Sequence, residues 1–261
     1  MYRKPKNFLS SLRYSIKSHH ETIPSTSLGG STLQWRPNIF STSGPRNTSG
    51  PAKWGNSEFE TYTNSNTDIR ITKDHTLTIT PCLSRGVWTS SRIETQQSDF
   101  AASADGQLYI ESRIKLALGS NFKPSHTNWP AVSEWDILET VNNGIGSCNE
   151  TNGLGSGGVP FSRGVWHTVG FMVDRSMTGN RGNGTWLNEA LNWYLGGTQV
   201  FTVSGKKVGD KKTWKAVAHN EHFLLLNVAV GGSRPGGPNS QTTDGPSVGM
   251  EVDYVGVWKL V

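Results

Sequence analysis

Residues Trp129 to Glu139 read W-P-A-V-S-E-W-D-I-L-E and set three carboxylates, Glu134, Asp136 and Glu139, among branched, aromatic and aliphatic residues. Acids are depleted in strands, so three of them in one apolar run need a reason. Strand side chains alternate between faces. Glu134 and Asp136 therefore share one side, and Trp135 and Ile137 take the other. Strict alternation sends Glu139 to the wrong face, and one extra residue at Ile137-Leu138, a β-bulge, returns it. Glu134 and Glu139 then flank Asp136, with backbones roughly 13 Å apart at about 3.3 Å per paired position. Inward lean brings their carboxyl groups to ~5 Å, the spacing at which one acts as nucleophile and the other as acid.

The rest of the chain agrees with an all-β frame. Its 261 residues fit one large domain, and 30 Gly, 12 Pro and 10 Trp with only 17% charged residues favour frequent turns and aromatic packing over helices. Most of the tryptophans are expected in the core. Asp68 to Thr80 reads as a hairpin, with Ile69 and Ile71 inward, a turn at Lys73-Asp74-His75, and Leu77 and Ile79 inward again. Gln107 to Leu118 and residues 163–173 alternate as strands. Residues 192–203 form a hairpin on Gly196-Gly197, and residues 224–232 read as a nearly continuous apolar strand broken by Asn227. Residues 250–258 close the domain as a strand carrying Glu251 and Asp253, a second acid pair to which no chemistry is assigned.

Residues 1–52 are rich in Ser, Thr, Pro, Lys and Arg without periodicity and are expected to be a poorly ordered extension to a domain at 53–261. The net charge of +5 lies largely in that extension, and no basic-aromatic run makes nucleic acid an expected partner. No stretch has the apolar length of a membrane span. Residues 1–20 are basic, but their longest apolar piece is Phe8-Leu9, so no signal-peptide core is read there. Sequons stand at Asn47, Asn149 and Asn183. Cys82 and Cys148 allow one disulfide, which their spacing does not establish. Seven His and two Cys form no metal-ligand spacing, so neither metal nor cofactor is expected.

E-x-D-x-x-E at Glu134, Asp136 and Glu139 resembles the bulged signature of glycoside hydrolase family 16. The longer stretch T-N-W-P-A-V-S-E-W-D-I-L-E-T-V-N-N resembles that family's fungal endo-1,3(4)-β-glucanase or laminarinase branch. The resemblance implies a concanavalin A-like β-jelly-roll sandwich of two antiparallel sheets. It implies double displacement with Glu134 as nucleophile, Glu139 as general acid/base, and Asp136 tuning their protonation.

W-G-N-S-E-F-E-T-Y-T (54–63) is similar to the family's W-G-N-x-E segment, which puts Asn56 near the substrate cleft. T-S-S-R-I-E-T (89–95) is similar to its T-S-x-R-I strand, with Arg92 facing the cleft. Trp129 joins these as a sugar contact. Asn227 either bonds neighbouring backbone or binds a sugar hydroxyl. Measured against the family, an interior strand after Leu116 and another near Cys148 are missing.

The implied partner is a β-glucan polysaccharide met by a monomer, and the family implies extracellular work. A structural Ca²⁺, as in some relatives, is compatible with the sequence but unmarked in it. The competing readings are a non-catalytic β-glucan-binding lectin-like sandwich, for which an intact acid triplet has no use, and a transglycosylase of the same fold.

Overall fold

The computed structural model describes residues 33–37, 57–116, 135–140, 159–160, 162–176, 185–233 and 236–260. Thirteen strands fall within them: β1 Trp35–Pro37, β2 Thr61–Tyr62, β3 Ile69–Ile71, β4 Leu77–Ile79, β5 Cys82–Ser84, β6 Val87–Ser90, β7 Arg92–Thr95, β8 Gln107–Leu116, β9 Trp166–Asp174, β10 Ala190–Leu195, β11 Thr198–Ser204, β12 Leu225–Asn227 and β13 Met250–Leu260. Seven form one antiparallel sheet in the order β11-β10-β9-β8-β13-β4-β3. Facing it is the antiparallel trio β1-β7-β12, and a third group, β2-β6-β5, stands beside them.

Alternation explains the layering. On β8, Leu108, Ile110, Ile114 and Leu116 are buried, as are Val169, Phe171 and Val173 of β9, and they meet Ile93, Leu224 and Val228 from the opposite layer in one core. Each such side chain contributes roughly 1.5–3 kcal/mol by leaving water. The other face of the large sheet carries the polar alternates. Arg113 Nη1 lies 2.7 Å from Asp253 Oδ2, and Lys115 pairs with Glu251, which also accepts from Thr76 Oγ1 at 2.6 Å. The second acid pair of the sequence is thereby a set of cross-strand ion pairs. The jelly-roll sandwich expected from the sequence is the fold observed.

The hairpin of residues 68–80 forms as expected, Ile69 opposite Ile79, with His75 exposed at positive φ in its turn. The Gly196-Gly197 hairpin also forms, Leu195 opposite Thr198. Both glycines take positive φ (57° and 79°), as a two-residue turn between right-twisted strands requires.

Three expectations are corrected. Leu33 and Trp35, inside the stretch read as an extension, are core residues, because β1 pairs with β7 (Trp35 opposite Thr95) and its apolar side has somewhere to go. The apolar run at 224–232 supplies only three strand residues, although Val228, Ala229 and Val230 stay buried. Residues Gly205–Val208 form a one-turn helix, α1, and Lys211–Ala218 a longer helix, α2, that the all-β reading did not foresee. Asp210 caps it by accepting from Thr213 N at 2.7 Å, and Trp214 and Ala218, one turn apart, are its buried face. The family strand missing after Leu116 and the stretch around Cys148 lie outside the described residues. Cys82 is a free thiol, and burial pushes its pKa up to about 11, helped by the Asp68 carboxylate.

Helix α2 is clamped to the large sheet by one carboxylate. Glu189, almost fully buried, accepts from Trp214 Nε1 at 2.5 Å and from Arg175 Nε at 3.2 Å, and lies 2.5 Å from His219 Nε2. Removing one partner of a buried charged cluster strands the others. Glu189→Ala is therefore expected to lower the unfolding free energy by about 3 kcal/mol in urea denaturation, with Glu189→Gln losing less because it keeps an acceptor for Trp214.

Candidate functional site: a pinned acid segment and a buried polar sheet face

Of the acid segment, residues 135–140 are described and Glu134 is not. Trp135, Ile137 and Leu138 pack against the core, as the alternating pattern requires of Trp135 and Ile137. The chain bends at Ile137 and Leu138, where an extra residue was expected, and among the described residues 135–140 form no strand, so a bend stands there in place of the bulged strand. Indole side chains help to hold the segment. Trp135 Nε1 donates to Val217 O on α2 at 2.9 Å, and Trp193 Nε1 donates to Asp136 O at 2.9 Å. The Trp135 ring stacks on His222 (centroids 3.6 Å apart, 24° between planes) and meets Phe171 at 4.9 Å. Asp136 remains partly exposed, and Glu139 is buried.

Arg92 and Asn227 face one another across β7 and β12. Their neighbours Ile93 and Leu226 point into the core, so Arg92 and Asn227 lie on the opposite side of that sheet. Both are deeply buried, Arg92 completely. Asn227 Nδ2 donates to Tyr62 OH at 3.0 Å, and Tyr62 OH donates to Glu58 Oε2 at 3.0 Å. The Asn227 amide is thus buried and tied to a tyrosine hydroxyl.

Glu60 follows on the same face, its Oε2 accepting from Val230 N at 2.7 Å and its side chain within hydrogen-bonding reach of that of Glu58. Burial, with the Glu58 charge beside it, pushes the Glu60 carboxyl up to about 8. Tyr62 rises well above its ordinary value, first through burial and then through Glu60 and Glu58, while the Arg92 guanidinium opposes the rise. Asn56 and Trp129 lie outside the described residues. Among those described, no group of three or more His, Cys, Asp or Glu is arranged to hold a metal ion.

The sequence reading missed Glu58, Glu60, Tyr62, His222 and Trp193. Three of these left a signal: in E-F-E-T-Y the polar residues recur at every second position, which is one face of an extended chain.

An endo-1,3-β-glucanase from Streptomyces sioyaensis is 30% identical, the match covering 87% of this chain and 89% of that one with a TM-score of 0.69. The chain belongs to glycoside hydrolase family 16. A family 16 sandwich accounts for the paired sheets and for the acid spacing at 134–139. An endo-β-1,3-glucanase from Pyrococcus furiosus matches at 25% identity, 80% and 82% coverage and TM-score 0.55. Glucan endo-1,3-β-glucosidase A1 of Niallia circulans is 24% identical over 231 residues, 79% of this chain and 33% of that protein. The family 16 chain thus spans a third of the length of that relative. No protein-family model matches the chain.

The stack on Trp135 makes the acid segment sensitive to acid. Burial lowers His222 from 6.5 to about 4, against the contrary pull of Asn220 O on Nδ1 at 3.0 Å. A base whose folded pKa is depressed contributes stability that is present above pH 6.5 and lost as pH falls through about 4. His222→Phe keeps a ring on the indole and cannot protonate. The wild type is expected to lose on the order of 2 kcal/mol more than this variant between pH 7 and 4, a cation–π attraction offsetting part of the full shift. Denaturant titrations at the two pH values measure the difference.

Proposed function

We propose that this chain is a retaining endo-β-glucanase acting within β-1,3 or mixed β-1,3/1,4 glucans by double displacement. The observation that supports it most is the family's acid spacing, E-W-D-I-L-E, in a segment whose Trp135, Ile137 and Leu138 are anchored in the core. The 30% identity to a Streptomyces endo-1,3-β-glucanase agrees with that reading.

In the first step a Glu134 oxygen attacks the anomeric carbon, the glycosidic C–O bond breaks, and Glu139 gives its proton to the departing oxygen. The product is a glycosyl ester on Glu134. In the second step Glu139, now a carboxylate, takes a proton from water, whose oxygen attacks the same carbon and expels Glu134. Two inversions leave the β configuration intact. Asp136 between the two disfavours joint ionisation, which keeps a proton available for Glu139. Glu134 carries its role by motif position, being outside the described residues.

Asn56, Trp129 and Asn227 contact the sugar in this reading, and Arg92, fully buried, supports that sheet face as a countercharge. A glucan chain is too large to cross a membrane, so the work is extracellular. Among the described residues no helix is long and apolar enough to span one.

Glu134→Gln and Glu139→Gln are each expected to reduce release of reducing sugar from laminarin or lichenan by about a thousandfold. Azide should restore turnover of Glu139→Ala on an aryl β-glycoside whose leaving group needs no protonation, giving a β-glycosyl azide. Wild-type turnover by Glu134→Gln would contradict the nucleophile assignment.

A further inference from the structure

The segment Glu58-Phe59-Glu60-Thr61-Tyr62 is inside out. Glu58 and Tyr62 are each 1% exposed and Glu60 9%, while Phe59 between the acids is 48% exposed. Burying two carboxylates and leaving a phenylalanine in water is unfavourable unless the acids are held by specific bonds. Those bonds are present. Phe59 N donates to Val230 O at 3.0 Å, and Val230 N returns a bond to Glu60 Oε2 at 2.7 Å, which docks the segment on residues following β12. Glu60 Oε1 is buried and meets no N–H or O–H donor among the described residues, yet the side chain lies within hydrogen-bonding reach of that of Glu58. Two carboxyl groups can bond one another only through a proton.

We propose that Glu58 and Glu60 share one proton and, through the Tyr62 hydroxyl, fix the orientation of the Asn227 amide, which makes both acids positioning residues for the sugar-binding face. The inference rests on the proposed function only in taking Asn227 as a sugar contact. Among the described residues, the groups on this face besides the pair are Tyr62 from its own segment, Arg92 from β7, which acts on Tyr62, and the neutral amide of Asn227 from β12. With one proton shared, the pair carries a single negative charge on a face that also holds the Arg92 guanidinium. Loss of that proton leaves two carboxylates against one guanidinium, and their repulsion breaks the line Glu58–Tyr62–Asn227.

A carboxyl whose folded pKa is raised contributes stability that is fully present below pH 4.5 and is lost as pH rises through about 8. Glucan affinity should follow the same alkaline limb, because the Asn227 amide is released with it.

The test uses the full chain. Infrared spectra of wild type minus Glu60→Gln at pH 7 are expected to show the C=O stretch of a protonated carboxyl, which disappears as the pH is raised past about 8. In parallel, the affinity for laminarihexaose of wild type is expected to fall about fivefold or more from pH 7 to 9, the worth of one ordinary hydrogen bond. Glu60→Gln, a permanent donor, should fall less. Tyr62→Phe cuts the line without touching the acids, so it should keep the infrared band and lose the pH dependence of affinity. It stands in for Glu60→Gln in the binding series if that variant does not fold. Absence of a protonated carboxyl at pH 7 overturns the shared proton. A band with the same alkaline loss of affinity in Tyr62→Phe as in wild type overturns the positioning role. A band in a protein that binds no glucan at any pH overturns the positioning role together with the glucanase reading, and leaves the shared proton standing.

Discussion

The smaller sheet facing the core depends on one register, Leu226 opposite Ile93 and Asn227 opposite Arg92. Side chains alternate with a period of two, so this pairing decides which residues enter the core and which lie on the polar far side. A slip of one residue would drive a guanidinium and an amide into a core built from Ile93, Leu224 and Val228. Burial of Arg92 is tolerable because its side of the sheet is polar. There Tyr62, Glu58 and Glu60 supply hydrogen bonds and negative charge. The register thus fixes the hydrophobic contact between layers and the polar network with the same few residues.

A second constraint acts on the acid segment. Asp136 and Glu139 lie in a stretch that is not part of a strand among the described residues, and loosely held carboxylates make poor catalysts. Tryptophan indoles solve this by combining area with a single donor. Trp135 inserts among Phe171 and His222 and reaches Val217 O, while Trp193 reaches back to Asp136 O. Helix α2, which presents Val217 O, is itself clamped by Glu189. The anchoring of the acids therefore extends through the helix to β9 and β10, the strands flanking that carboxylate.

Most of the sandwich was legible in the sequence because its long strands alternate cleanly. The hairpins at 68–80 and at Gly196-Gly197 carried their own turn chemistry. What escaped was decided by partners far along the chain. Leu33 and Trp35 sit in a Ser- and Pro-rich stretch without pattern, and only the edge of β7, some sixty residues later, gives them a place. Helix α2 is two turns long and lysine-rich, so its apolar stripe is just Trp214 and Ala218, with Asp210 as the cap signal. The acids at 58 and 60 were readable as one face, but the pattern inverts the usual rule. Phe59 is outside and the glutamates inside, a choice that appears only once Val230 and Tyr62 are seen to bind them.

At the acid motif, sequence and structure contribute different things. The spacing of Glu134, Asp136 and Glu139 assigns the chemistry, and the packing of Trp135 explains how two of the three are held. The central claim is double displacement at a β-glucosidic bond. Proton NMR of the first product formed from laminarihexaose, taken before mutarotation, tests it most directly. The account predicts the β anomer at the new reducing end. The α anomer as first product would contradict it.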